Sequence, residues 1–277
     1  MRPVDASRTS LAAYVLAIES IPERVADAKA LVDTLRKLAV ADPVRLFPAL
    51  YWKDEQAILD YLARYPQHTF TPDYLERMLA GQLAVTLSHI RIWRTLLEEG
   101  HGGALVFEDD NFICDAARFK EIVEQLRRGR GFEWVRIQLH REFREEVVNR
   151  RSLLDRIFGR RPGPLFVDDP MPYGFAGYYV SRSGARKMLQ CCENIDAPID
   201  WLPPSMKQRG LLDTRCVTEV VVDHHPFEGS KTSLEKRHKV ERLPHKLQKS
   251  ASTIWTSPRV AERPALHRFV SRLGDRQ

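Results

Sequence analysis

The chain has no apolar run approaching the ~20 residues that a membrane-spanning helix needs. Its first ten residues, MRPVDASRTS, hold no apolar core of the kind a secretory leader carries. Together these absences predict a cytoplasmic protein. Cysteine is scarce: four residues, Cys114, Cys191, Cys192 and Cys216, with no metal-ligand spacing among them. Adjacent Cys191 and Cys192 are poorly placed to bridge each other, so reduced and mostly buried thiols are expected. No internal repeat is visible. A broad basic surface is missing too. The net charge is +6, but residues 228–277 hold twelve Lys and Arg against five Asp and Glu, a net +7, which leaves residues 1–227 at −1. A near-neutral body argues against nucleic acid as a partner, whereas the basic tail suits an anionic membrane surface or polymer.

What is present is a globular composition, 277 residues at 43% hydrophobic content, sufficient for one large domain with an appendage. AAYVLAI is an apolar run of the kind a buried strand makes. IPERVADAKALVDTLRKL follows with helical spacing at Val25, Ala28, Leu31, Val32 and Leu35. PVRLFPAL reads as the next strand, so the first three elements predict a βαβ unit. In TPDYLERML, Thr71 can cap and Pro72 suits a first helical turn; Leu83, Leu87, Ile90, Trp93, Leu96 and Leu97 continue the pattern to Gly100, which predicts a long, largely buried helix.

Strand GALVF, residues 103–107, precedes the amphipathic DAARFKEIVEQLRRG and a further strand, WVRIQLH. The charged REFREEVVNRRSLLDRIFGRRPGP reads as a loop or excursion across one face. PYGFAGYYVSRSGARKMLQCC is strand, turn and helix, with Ser181 or Ser183 as the cap. IDAPIDWLPPSMKQRG is a Pro-rich turn into a short helix, and TRCVTEVVVDHH is the last clear strand. Alternating strands and helices predict an α/β layered domain.

The run LVFEDDNF places Glu108, Asp109 and Asp110 directly behind a buried strand. Three adjacent carboxylates repel one another, so the fold must offset them with water, with a helix cap or with a cation. In an open α/β sheet, ligands gather outside the carboxyl ends of the strands. A carboxylate pair there can anchor Mn²⁺ or Mg²⁺, hard ions that want oxygen ligands.

The order of four segments, GQLAVTLSHIRIW, ALVFEDD, YGFAGYYVSRSGARKML and DAPIDW, resembles glycosyltransferase family 25, the lipopolysaccharide and capsule glycosyltransferases related to the collagen galactosyltransferase domains. YVLAIESIPER resembles the family's opening strand with its Glu-Arg pair, here Glu23 and Arg24. The resemblance covers roughly residues 11–230 and leaves 141–168 unmatched. It implies an α/β, GT-A-like, Rossmann-type single sheet flanked by helices over residues 1–227, followed by the basic tail. It also implies a UDP-sugar donor, Mn²⁺ (or Mg²⁺) as cofactor, a glycan or lipid-linked saccharide of the bacterial envelope as acceptor, and inversion at the anomeric carbon.

Within that resemblance, Asp110 is the metal ligand, with His225 or its neighbour His224 completing the site. Arg24, Ser88, His89, Glu108 and Asp109 line the donor. Gly177 lets backbone approach the donor or eases a strand bend, and Lys231 in GSKTS grips phosphate oxygens as a point charge. Asp200 is the expected base for the acceptor hydroxyl, with Asp196 as the alternative; an Asp before a helix also serves as an N-cap. Trp201 offers a flat face for a sugar or for plain packing. His89 is read either as donor-binding or as a structural helix residue.

The chain departs from the family pattern at Ala17 or a neighbour, where an Asn is usual, and at Gln82, Leu83, Ala84 and Val85, where Glu, an apolar residue, Gly and Cys are usual. Galactose is the expected sugar. A metal-dependent phosphohydrolase is the rival reading, for which Asp168 and Asp169 are the further carboxylates, and a silent sugar-binding module is a third. In the tail, RPALHRFVSRLGDR spaces Leu266, Phe269, Val270 and Leu273 as one face of a helix. That segment suits either the membrane interface, which would hold the protein peripherally on the inner membrane, or docking on the body.

Overall fold

The computed structural model describes residues 10–129, 131–139, 165–171, 173–175 and 177–225. Most of the charged 141–168 excursion, Lys231 and the tail helix lie outside the described residues. The described parts of segments 1–48, 99–185 and 200–225 form one compact unit, and those of 49–98 and 186–199 form a second.

The first unit is built on a seven-stranded mixed sheet of order β2-β1-β3-β7-β5-β8-β6. Its strands are β1 (Leu11–Ala17), β2 (Val44–Pro48), β3 (Gly103–Phe107), β5 (Trp134–Arg136), β6 (Phe166–Asp168), β7 (Gly177–Ser181) and β8 (Thr214–Val217). β1 lies parallel to both β2 and β3, so the βαβ unit forms as expected. All seven residues of β1 are buried, which is why LAAYVLA is an unbroken apolar run: a central strand has its two faces covered. β7 runs antiparallel between β3 and β5, setting Phe107 opposite Gly177. β5 pairs with β8 in parallel, and β6 closes the edge antiparallel to β8. A ribbon of β4 (Asn111–Ile113) and β9 (Val222–His224) stands beside the main sheet. The architecture is that of a GT-A-like α/β sheet flanked by helices.

Helix α1 (Pro22–Leu38) starts on Pro22, whose missing N–H costs nothing there. It ends where Ala39 turns left-handed at φ 53° and its N–H returns to the Arg36 carbonyl. Its buried face is Ala28, Leu31, Val32 and Leu35. These pack with Leu105, Phe107, Phe119, Ile122, Val123 and Leu126 in one apolar core. Helix α5 (Ala116–Arg128) is capped by Asp115, whose carboxylate accepts from Arg118 N at 2.9 Å.

In the second unit, the helix expected from Thr71 to Gly100 is two helices, α3 (Pro72–Arg77) and α4 (Ala80–Glu98). Met78 takes an extended ψ of 141°, and Gln82 Oε1 accepts from Leu79 N at 3.0 Å, fixing the restart. Thr71 occupies the cap position but makes no side-chain cap bond. Helix α2 (Glu55–Arg64), capped by Asp54, is an element that the sequence reading does not predict. The helix after β7 is α6 (Arg182–Cys191), entered straight from the strand with no intervening turn; Ser181 Oγ accepts from Gly184 N at 3.0 Å. The expected single final strand is β8 and β9, separated by Thr218–Val221.

Candidate active site

Strand β3 delivers the three acids, and the turn that follows fixes them. Asn111 is its clasp: Oδ1 accepts from Glu108 N at 3.1 Å, Nδ2 donates to Asp110 Oδ1 at 3.3 Å, and its own N–H donates to the Glu108 carbonyl at 3.2 Å. Because Asp115 caps α5, none of the three acids does, so the capping reading of Glu108–Asp110 falls away. Asp109 is buried and pairs at 3.4 Å with Arg24 Nη1 from the first turn of α1. The two residues expected separately at the donor are therefore partners.

The electrostatics leave a surplus of negative charge. Burial, then the Asp110 and Asp109 charges, push the Glu108 carboxyl up to about 8, with Arg24 only partly offsetting them and Asp200 adding to the push. Burial also raises Asp109 to about 6 against the pull of Arg24. Asp110 is raised by burial and drawn back by His224, Arg24 and His225.

His224 and His225 come in on β9, which pairs with β4 so that Asn111 faces His224. The His225 N–H donates to the Asp110 carbonyl at 2.9 Å, and its exposed ring stacks on Phe112 at 4.7 Å. His224 Nδ1 is engaged by the Gln138 amide nitrogen at 2.9 Å. Among the described residues, no group of three or more His, Cys, Asp or Glu side chains gathers to hold a metal by itself.

Asp200 sits half-buried on the 3₁₀ turn Ile199–Trp201 that precedes helix α7 (Leu202–Gln208). The cap position of α7 is Trp201, so Asp200 is not the N-cap. Burial raises the Asp200 carboxyl, while its own backbone N–H, the Gly174 N–H and the Arg136 charge draw it down. Trp201 beside it is 53% exposed, so plain packing does not account for that ring. At Gly177 a Cβ would meet Gln138 Cβ at 3.2 Å and Phe107 Cδ1 at 3.4 Å, so a side chain there would crowd both.

The structure thus brings Arg24, Glu108, Asp109, Asp110, Gly177, Asp200 and His225 into the first unit. Ser88 and His89 belong to the second. Ser88 Oγ donates to the Ala84 carbonyl at 2.7 Å and accepts from Leu50 N at 2.9 Å. His89 is fully buried and held neutral, its pKa pushed down to about 3 by burial. Asp196 is exposed and also lies in the second unit.

Sequence reasoning missed Asn111, Gln138 and Arg136. The signal for Asn111 was an Asn directly after two Asp at a strand end, a local turn former. For Arg136 it was an arginine in mid-strand in WVRIQLH. Asp169 is salt-bridged to Arg136 at 3.0 Å and Asp168 to Arg215 at 2.9 Å, so both carboxylates proposed for a second metal already have cationic partners.

The structure is similar to glucosyl-3-phosphoglycerate synthase from Mycobacterium tuberculosis, solved in complex with Mn²⁺, UDP and glucosyl-3-phosphoglycerate. That likeness is at 16% identity and TM-score 0.38 over 78% of this chain and 72% of that one. It is also similar to a mycobacterial protein at 13% identity and TM-score 0.41, over 80% and 69% of the two chains. Likeness of this degree says nothing of chemistry. The model of glycosyltransferase family 25 (LPS biosynthesis protein) matches residues 12–202, a span that takes in Arg24, the three acids, Gly177 and Asp200. The chain accordingly belongs to glycosyltransferase family 25 and is an enzyme of the glycosyl-transferring class.

Proposed function

We propose that the protein transfers a hexose, galactose first among the candidates, from a UDP-sugar to a glycan or lipid-linked saccharide of the bacterial envelope, with inversion. The observation that carries this reading is the charge imbalance at the end of β3: three raised carboxyls face one arginine and two histidines. The residues present fit a divalent ion there. Asp110 offers a hard carboxylate oxygen and His225 an exposed imidazole, a donor pair suited to Mn²⁺. Asp110 and His225 would hold it and would leave room for the oxygens of the donor's diphosphate. When bound, the ion supplies Lewis-acid charge to the departing diphosphate.

The protein's own groups do the rest. Arg24 holds Asp109, and Asn111 holds Asp110. Asp200 takes the acceptor hydroxyl proton as the new glycosidic bond forms and the bond to the diphosphate breaks; its raised pKa makes it a stronger base than an ordinary aspartate. Trp201 presents a face on which the acceptor ring rests. Among the described residues no helix is long and apolar enough to cross a membrane. The basic tail, with its apolar stripe from Leu266 to Leu273, is proposed to hold the enzyme on anionic lipid.

Titration calorimetry with UDP, with and without Mn²⁺, tests the site, and mass spectrometry against a panel of sugar nucleotides identifies the donor. UDP binding indifferent to Mn²⁺ overturns the metal assignment. Phosphate release without an acceptor would favour the phosphohydrolase reading, which the pairing of Asp168 and Asp169 with arginines counts against.

A further inference from the structure

Arg136 is 1% exposed and lies at the end of β5, deep in the first unit. A buried guanidinium needs strong partners, and this one has two. Its Nε donates to Asp169 Oδ2 at 3.0 Å, and its Nη1 donates to the carbonyl of Gly174. Asp169 is in turn fully engaged. Its Oδ1 accepts from Met171 N at 3.0 Å, its N–H donates to the Thr214 carbonyl at 3.3 Å, and its carbonyl accepts from Lys207 Nζ at 2.8 Å. Lys207 stands on α7, the helix that begins immediately after the Asp200 turn.

Gly174 has φ +102°, a backbone state that other residues rarely adopt. In that conformation its carbonyl receives Arg136 while its N–H donates to the Asp200 carboxylate. One glycine thus links a buried ion pair to the acid expected to take the proton. Lys207 ties the helix behind that acid to the main chain of Asp169. The groups facing Asp200 are Arg136 from β5, Glu108 from the end of β3, and the Gly174 N–H from the segment before β7.

We propose that Arg136 and Asp169 are positioning residues for Asp200, acting through the Gly174 backbone. The inference rests on Asp200 being the base. Arg136 and Asp169 touch no substrate in this scheme. They fix the direction of one amide N–H and so the carboxylate that accepts from it.

The test uses the full chain and three variants. Removing one partner of a buried pair leaves the other charge uncompensated and invites unfolding, so the informative change is the paired Arg136→Met/Asp169→Leu, which removes both charges. Gly174→Ala is the second, since it disturbs the glycine's backbone while leaving every charge in place. Asp200→Asn is the reference. The readouts are the ¹H–¹⁵N signal of the Gly174 amide in glycine-labelled protein across pH, and kcat and KM for the donor that the nucleotide-sugar panel selects.

In the parent protein the Gly174 signal should move as Asp200 titrates, and in Asp200→Asn that movement should vanish. The paired variant should lose it too, and Gly174→Ala, which has no glycine amide there, is read by kcat and KM alone. Both variants should lower kcat by about 10- to 100-fold, the cost of a misplaced catalytic group, with donor KM within about twofold. A folded paired variant with unchanged kcat and an unchanged Gly174 titration, or a folded Gly174→Ala with unchanged kcat, overturns the proposal. If Asp200→Asn retains full turnover, the base assignment fails instead, and the Gly174 signal in the paired variant still decides whether the link to Arg136 exists.

Discussion

Asp110 and Asp200 carry different burdens, and single substitutions separate them. Asp110→Ala should abolish turnover and weaken UDP binding in Mn²⁺ while thermal unfolding stays close to the parent, because a strand-end carboxylate adds little packing. Full activity in that variant would remove the metal role. Asp200→Asn keeps the shape and the ability to accept from Gly174 but cannot take a proton. Its rate should fall by ~10²–10⁴ with UDP affinity nearly unchanged, measured by turnover beside calorimetry. A comparable loss in Asp196→Asn and none in Asp200→Asn would transfer the base to Asp196. The identities of these residues were legible because strand-end acids and an Asp beside a Trp-Pro turn are local patterns. Their partners were not: Arg24 lies 85 residues from Asp109, and Arg136 lies 33 residues from Asp169. Such pairings are made by the sheet order, which no local window contains.

The elements were read best where burial is continuous and worst where a helix is interrupted. β1, α1, β2, β3 and α5 follow from apolar runs, helical spacing and caps. The break between α3 and α4 was hidden because apolar residues keep their helical rhythm across Met78, while the side chain that reopens the helix, Gln82, looked like a mere departure from a family pattern. The join of β7 to α6 shows how tightly elements meet without a turn. A Cβ on Gly184 would overlap the carbonyl of Glu133, which already accepts from Ser181 N at 3.0 Å. Gly184→Ala should therefore destabilise the protein by about 1–3 kcal/mol in urea unfolding. Parent-like stability there would mean that α6 can move off the sheet.

For the molecule as a whole, pH acts through groups with opposite signs. His68 and His89 are buried with pKa values pushed down to about 3. Each contributes stability that is full above the unfolded value near 6.5 and is lost as pH falls toward 3. Glu108, raised to about 8, contributes the reverse: stability present below about 4.5 and lost as pH rises through about 8. Without metal, the parent should lose stability between pH 6.5 and 8. Glu108→Gln should not, and it should lose stability faster than the parent on acidification from 6.5 to 4.5. Urea unfolding at pH 5, 6.5 and 8 measures both trends, and parallel curves for the two proteins would refute the assignment. At the same scale, removing residues 258–277 should release the protein from anionic vesicles while transfer to a soluble acceptor continues. Sedimentation unchanged by the truncation would end the membrane reading.

The antiparallel setting of β7 has a consequence for how this enzyme can diversify. In an all-parallel sheet the walls of a site are segments that leave strands. Here Phe107 faces Gly177, so one wall is the segment that enters β7. Earlier in the chain, two described points are held in place, Gln138 by its bridge to Val222 and Phe166 by its place opposite Val217. Lengthening a loop between fixed ends costs little. Sequence can therefore be exchanged between those two anchored points while the strand order and the three acids keep their places.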